Sequence, residues 1–221
     1  MTTLSAMGGW RCSRQTWLNR STCTLNERLS DLVFAPQNAF DRSMTARIIR
    51  LGTLLRDADA IADLHTRSRQ HAYRGLYGDH YLDHQLPDIS RAIWRERFRS
   101  YAPTTDLILA AMDDTEPVAL AYASFRVNPA VGLLVDNLHV APEWKGTGLG
   151  SRLLAEVALW LRDEHASAPL HLEVYAPNMD ALGFYARKGG LEVARYRETP
   201  PDGREVAVVR FQWSRPEDLL I

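Results

Sequence analysis

Lysine is nearly absent from this chain. Of its 26 lysine and arginine residues only two are lysine, Lys145 and Lys188. Cysteine is equally scarce. Cys12 and Cys23 both lie near the N-terminus. They could close a short loop, but two cysteines make no disulfide framework, and the expected compartment is a reducing cytoplasm. No apolar run approaches the roughly 18 residues that span a bilayer, and no segment has the form of a secretory h-region. Neither sign of charge dominates. The net charge is −1 and the pI about 6.7, which points to neither nucleic acid nor an acidic membrane as a partner. The G-x-x-x-x-G-K-S/T of a Walker loop is missing, as is the G-x-G-x-x-G of a dinucleotide fold. No internal repeat is present.

What remains is the composition of a soluble globular protein, 46% hydrophobic and 24% charged over 221 residues, which fits one domain with a sizeable core. Residues 1–44 differ from the rest. They are rich in Ser, Thr, Arg and Asn, poor in acids and without sustained periodicity. The expectation is a flexible leader or a start assigned too early, with Met44 as the true start; a targeting peptide and a real extra structural element are the further readings. The domain proper is placed at 45–215.

From Met44 onward hydrophobic periodicity sets the elements. Arg47 to Leu51 is a first strand. A helix opens at Asp57 and Asp59 and carries Ala58, Ile61, Ala62, Leu64 and His65 on its apolar side. His71 to Pro87 is expected as loop and turn. Ile89 to Tyr101 is a second helix, with Ile93, Trp94 and Phe98 on one side. Asp106 to Met112 and Val118 to Val127 form a hairpin, and Leu133 to Val140 a fourth strand. A helix follows over Leu149 to Glu164. The chain then continues with strand Leu170 to Val174, helix Asn178 to Lys188, and strands Leu191 to Arg197 and Glu205 to Trp213.

The junction after the fourth strand is the richest local signal. In Lys145-Gly146-Thr147-Gly148-Leu149-Gly150-Ser151, glycines permit positive φ and close approach of a ligand. The unpaired N–H groups of the next helix's first turn then face the ligand, and the helix dipole favours an anion there. Lys145 adds a cation at the lip. A bare glycine turn before a helix is the bland reading of these residues alone. The segment resembles Q/R-x-x-G-x-G/A, the pyrophosphate loop of the GCN5-related N-acetyltransferases (GNAT), with Lys145 in the first position, Gly148 in the fourth and Gly150 in the sixth. Lysine there keeps the charge but lacks the planar fork of arginine. Further on, Leu172-Glu173-Val174 with Asn178, Ala181 and Tyr185 resembles the family's L-E-V-x-x-x-N-x-x-A-x-x-x-Y segment, at the expected distance and in the expected order.

That resemblance implies a single-domain α/β fold, a mixed and mostly antiparallel sheet with helices on both faces. It also implies acetyl transfer from acetyl-CoA to a primary amine, with no metal. The implied cofactor contacts are Leu138, His139 and Val140 on the fourth strand and Lys145 to Ser151 in the loop, with Asn178, Tyr185 and Lys188 beyond. A backbone N–H near Val140 would meet the developing oxyanion. An amine of pKa near 10.4 is mostly protonated at neutral pH, a deficit of roughly 4 kcal/mol, so a base is required. The resemblance offers Glu173 as base and Tyr185 as acid. Asp136 is a rival base, and His139 another. Strict alternation would turn Asp136 away from Asn137 and His139. Tyr73, Arg74, Tyr77 and Asn137 are candidates to contact the acceptor. His80 and His84 have metal-like spacing, but Asp83 stands where an inverzincin needs Glu, and a solvated polar turn is expected. The acceptor is expected to be a small-molecule amine, with a peptide N-terminus as the alternative; a non-catalytic acyl-CoA sensor is the rival of another class. Assembly is left open, a homodimer included.

Overall fold

The computed structural model describes residues 46–50, 55–127, 129–165, 168–200 and 203–220. The reading of residues 1–44 lies outside them. Among the described residues, seven strands and four α-helices follow the expected order: β1 (Arg47–Arg50), α1 (Leu55–Tyr73), α2 (Leu86–Arg99), β2 (Asp106–Asp113), β3 (Glu116–Ser124), β4 (Leu133–Val140), α3 (Leu149–His165), β5 (Leu170–Tyr175), α4 (Met179–Arg187), β6 (Leu191–Glu198) and β7 (Val206–Trp213). They form one sheet in the order β1-β2-β3-β4-β5-β7-β6. Every pairing is antiparallel except β4 with β5.

β2 and β3 are buried at successive residues rather than at alternate ones. Such strands are covered on both faces, and both α1 and α3 pack on β3 and β4. α3 contributes Leu149, Leu153, Leu154, Val157 and Leu161 to the core, spaced as one helical face. Asp114 takes the positive φ of the two-residue β2–β3 turn, at 50°, a conformation Asp tolerates better than most residues. Gly189 stops α4 at φ 76°, a left-handed cap.

Two segments depart from expectation. α1 runs on through His71, Ala72 and Tyr73, where a loop was expected. Polar residues from Arg67 to His71 mask the periodicity, although Ser68 is buried and Arg69 and Tyr73 are half-buried. The remainder of that loop holds a π-helical turn, Tyr81–Gln85, which leads straight into α2. It is not a wholly solvated turn. Tyr81 and Leu82 are buried and pack with Tyr77 and Leu86, while His80, Asp83 and His84 face out. In α2, Leu86, Ser90, Trp94 and Phe98 form the buried stripe. Ile93 lies beside that stripe at 36% exposure.

Candidate active site

β4 and β5 are paired only at their first residues, Leu133 with Leu170 and Leu134 with His171. Beyond these the strands part. Gly132 sets the junction: a Cβ there would stand 2.3 Å from the Pro169 carbonyl oxygen. The Leu133 N–H reaches the same oxygen at 2.9 Å. Ala141 N–H donates to Val118 C=O on the β3 side. By alternation the backbone groups of Leu138 and Val140 point the other way, into the gap.

The gap opens into a cleft of about 310 Å³. Its walls come from α1 (His65, Arg69, Tyr73), α2 (Ile93, Arg97), β4 (Asp136, Asn137, His139) and β5 (Glu173, Val174, Tyr175), with Glu198 and Val208 beyond. Asp136, Asn137 and His139 therefore share one site, against the alternation argument. The pairing of β3 with β4 jumps from Asn137 to Val135, leaving Asp136 as the extra residue of a bulge. A bulge re-aims side chains that a regular pleat would send to opposite faces.

Arginine organises the β4 side. Arg97 donates to both Asn137 Oδ1 and Asp136 Oδ2 and lies over the rings of Trp94 and Tyr122. On β5, Glu173 Oε1 accepts from Arg210 Nε at 3.0 Å and Nη2 at 2.6 Å. Tyr77 donates to the Tyr175 hydroxyl at 2.7 Å, and Glu198 lines the same cleft. Burial, then Tyr77 and Glu198, pushes the Tyr175 hydroxyl well above its usual range.

Two histidines meet in the cleft, ring centroids 4.7 Å apart. Trp94 Nε1 donates to His65 Nδ1 at 3.0 Å. An indole N–H only donates, so the neutral His65 carries its proton on Nε2. Burial lowers the His65 pKa well below the usual value, aided by His139, Arg69 and Arg97. His139 Nδ1 lies 3.1 Å from Ser68 Oγ. Its pKa falls to about 3 through burial first and then the charges of Arg69, Arg97 and Lys145. Both rings are neutral at physiological pH.

At the end of β4 the glycine loop takes the shape its sequence suggests. Gly146 and Gly148 have φ of 79° and 87°, and a Cβ at either would meet nothing within 4 Å. The first bond into α3 is Arg152 N–H to Gly148 C=O at 3.0 Å. The N–H groups of Leu149, Gly150 and Ser151 precede it and have no acceptor within the helix. Lys145, Gly146, Thr147 and Gly148 are all exposed, so the cradle is open. Thr147 turns its hydroxyl back to Trp144 C=O at 2.7 Å. Gly150 differs, its Cβ position lying in ordinary van der Waals contact with Phe184 at 3.6 Å. A diphosphate fits these donors.

The remaining sequence candidates fall into three places. Tyr73 lines the cleft, and Tyr77 reaches it through the Tyr175 hydroxyl. Arg74 is outside the cleft lining, held by Asp79 at 3.1 Å and Asp83 at 2.7 Å. Tyr185 is buried, its ring against Phe184, Phe211 and Trp213. Burial and nearby Tyr73 push its hydroxyl above the usual range. Asn178 caps α4, its Oδ1 accepting from Ala181 N–H at 3.2 Å. Lys188 closes the same helix, and its carbonyl receives Trp213 Nε1 at 2.7 Å. Sequence reasoning passed over Arg69, Arg97, Tyr175 and Glu198, and placed His65 only in a core. The available signal was the spacing of His65, Arg69 and Tyr73, four residues apart on one helical face.

The acetyltransferase (GNAT) family matches residues 59–190, and the chain belongs to that family. No curated protein matches it. Solved structures share the fold. PaiA N-acetyltransferase from Thermoplasma acidophilum, in complex with coenzyme A, is 16% identical with a TM-score of 0.57, covering 75% of this chain and 98% of its own. YncA from Salmonella typhimurium, with its cofactor acetyl-CoA, is 16% identical with a TM-score of 0.55, covering 76% and 93%. The ribosomal-protein-S18-alanine N-acetyltransferase from Escherichia coli is 23% identical with a TM-score of 0.50, covering 75% and 90%.

Proposed function

We propose that this protein moves the acetyl group of acetyl-CoA to the primary amine of a small molecule, in the cytoplasm. The observation that carries the reading is an open anion cradle at the end of β4 next to a polar cleft lined by the same strand. The cradle of Lys145 to Ser151 suits the donor's pyrophosphate, through backbone N–H groups and the helix dipole. The backbone of Leu138 and Val140, turned away from β3, suits its pantetheine arm, with Asn178 and Lys188 flanking. When bound there, acetyl-CoA supplies the activated acyl carbon. A cleft near 300 Å³ is at the lower end of small-molecule sites, which favours a compact acceptor.

In this reading the C–N bond forms as the C–S bond breaks. One proton must leave the amine and one must reach the departing sulfur. Glu173 is the proton acceptor, its carboxylate oriented by Arg210. Tyr185 keeps its proton at neutral pH and is the donor to sulfur. Asp136, the rival base, is held by Arg97 and serves with Asn137 to shape the acceptor wall, together with Tyr73 and Tyr77. Arg74 belongs to the rim.

A second reading takes a peptide N-terminus as acceptor. The Glu173–Tyr185 spacing favours it, since that spacing resembles ribosomal-protein alanine acetyltransferases. Thiol release from acetyl-CoA over a panel of small amines and short peptides separates the two, with the product checked by mass. Release with small amines is the expected result. Release only with peptides supports the second reading. Binding without release under every amine marks a sensor.

A further inference from the structure

The cleft holds a cation that its own carboxylates leave alone. Arg97 is neutralised by Asp136 and Arg210 by Glu173. Arg69 also lines the cleft, yet among the described residues it takes part in no ion pair. Its guanidinium sits over the rings of Tyr73 and Tyr77, 5.6 and 5.7 Å from their centroids. His65 and His139 beside it are neutral rings. A half-buried guanidinium surrounded by aromatic and neutral groups gains strongly from an anion.

Its position is set by the helix. His65, Arg69 and Tyr73 are successive members of one stripe, about 6 Å apart along α1. His65 meets β4 through Asn137 and His139. Tyr73 meets β5, its ring 5.4 Å from that of Tyr175. Arg69 therefore stands over the gap between the parted strands. The cleft also has one carboxylate in no ion pair among the described residues, that of Glu198. The spare charges are one positive and one negative, the complement of a zwitterion.

We propose that Arg69 grips a carboxylate on the acceptor, so that the acceptors are primary amines bearing a carboxylate, of which free amino acids are the simplest. This rests on the acetyl-transfer reading above. A single planar carboxylate matches the guanidinium fork. A phosphate dianion would exceed the one spare positive charge and face Glu173 and Glu198. A polyamine would place a second cation beside Arg69.

The test is a competition of shapes within one assay. Thiol release from acetyl-CoA is measured for α-, β- and γ-amino acids, each against its carboxamide and its decarboxylated amine. The ratio of kcat/KM, acid over amine, is the readout, because it cancels general damage to a variant. The wild type is expected to favour the acid by roughly 10- to 100-fold, the range of a charge-assisted bond. Arg69→Gln should bring that ratio near one, and Arg69→Lys should retain part of it. Equal or better use of amines, carboxamides or amidated peptides by the wild type would overturn the proposal. So would an unchanged ratio in Arg69→Gln. If the wild type acetylates no amine at all while binding coenzyme A, the transfer reading itself fails and takes this one with it.

Discussion

Glu173 and Tyr185 sit in contrasting surroundings. Glu173 faces the polar cleft, tied to Arg210, whereas Tyr185 is packed among aromatic rings with its hydroxyl pushed above the usual range. A buried phenol that keeps its proton suits a donor. Glu173→Gln and Tyr185→Phe are each expected to lower kcat by about 10²- to 10⁴-fold. Coenzyme A affinity by calorimetry should change little. Full turnover in both variants would remove them from the mechanism. The histidine pair makes a separate prediction about stability. His65 and His139 titrate lower in the fold than in the unfolded chain. Below about pH 6.5 the unfolded chain binds protons that the fold refuses, so stability rises with pH through that window. The benefit is complete above pH 6.5 and is lost as pH falls toward about 3 for His139. The slope is at most about 1.4 kcal/mol per pH unit for each ring. Urea midpoints between pH 7 and 5, above most carboxylate titrations, should fall in the wild type and fall less in His139→Gln. Equal slopes would contradict the assignment. Neither Arg97 nor Arg69 was legible as a site residue, because their roles depend on partners from β4 and β5 that lie far off in sequence.

Glycines set the two elements that make the site. Gly148 holds φ at 87°, where a β-branched residue is a severe misfit. Gly148→Val is expected to abolish coenzyme A binding by calorimetry, with helical content unchanged by circular dichroism. Near-normal affinity would sink the loop assignment. Gly132 fastens the paired end of β4 and β5 at φ 115°, against the Pro169 carbonyl. Gly132→Ala adds a backbone clash to that strain and should cost about 3 kcal/mol or more. The melting temperature should then drop by roughly 6 to 12 °C; a drop under two degrees would show that the junction gives way easily. Local signals explain what could be read in advance here. Glycine spacing and the apolar faces of α3 and β4 are properties of short stretches. The extension of α1 hid behind Arg67 to His71, whose polarity reads as loop. The bulge at Asp136 has no mark of its own, since it exists only in the register with β3.

At the scale of the molecule, one parallel pairing in an otherwise antiparallel sheet creates the site. β4 and β5 are not paired past Leu134 and His171, and the interruption leaves backbone open between the glycine loop and the cleft. The order of elements was legible because each strand and helix keeps its own periodicity. The sheet order follows from it, except that β7 inserts between β5 and β6, which no local pattern announces. We propose residues 45–215 as the working domain. A chain starting at Met44 is expected to bind coenzyme A within about threefold of the full chain, on the scale of affinity where tenfold is 1.4 kcal/mol; a larger loss would give residues 1–44 a part in the site. Acetyl transfer, rather than mere binding of the donor, is the activity proposed. The measurement that meets it most directly is amine-dependent thiol release from acetyl-CoA by the wild type, with mass detection of the product. A product heavier by one acetyl group, formed in step with thiol, is the predicted result. Tight coenzyme A binding with no thiol release for any amine or peptide would contradict it.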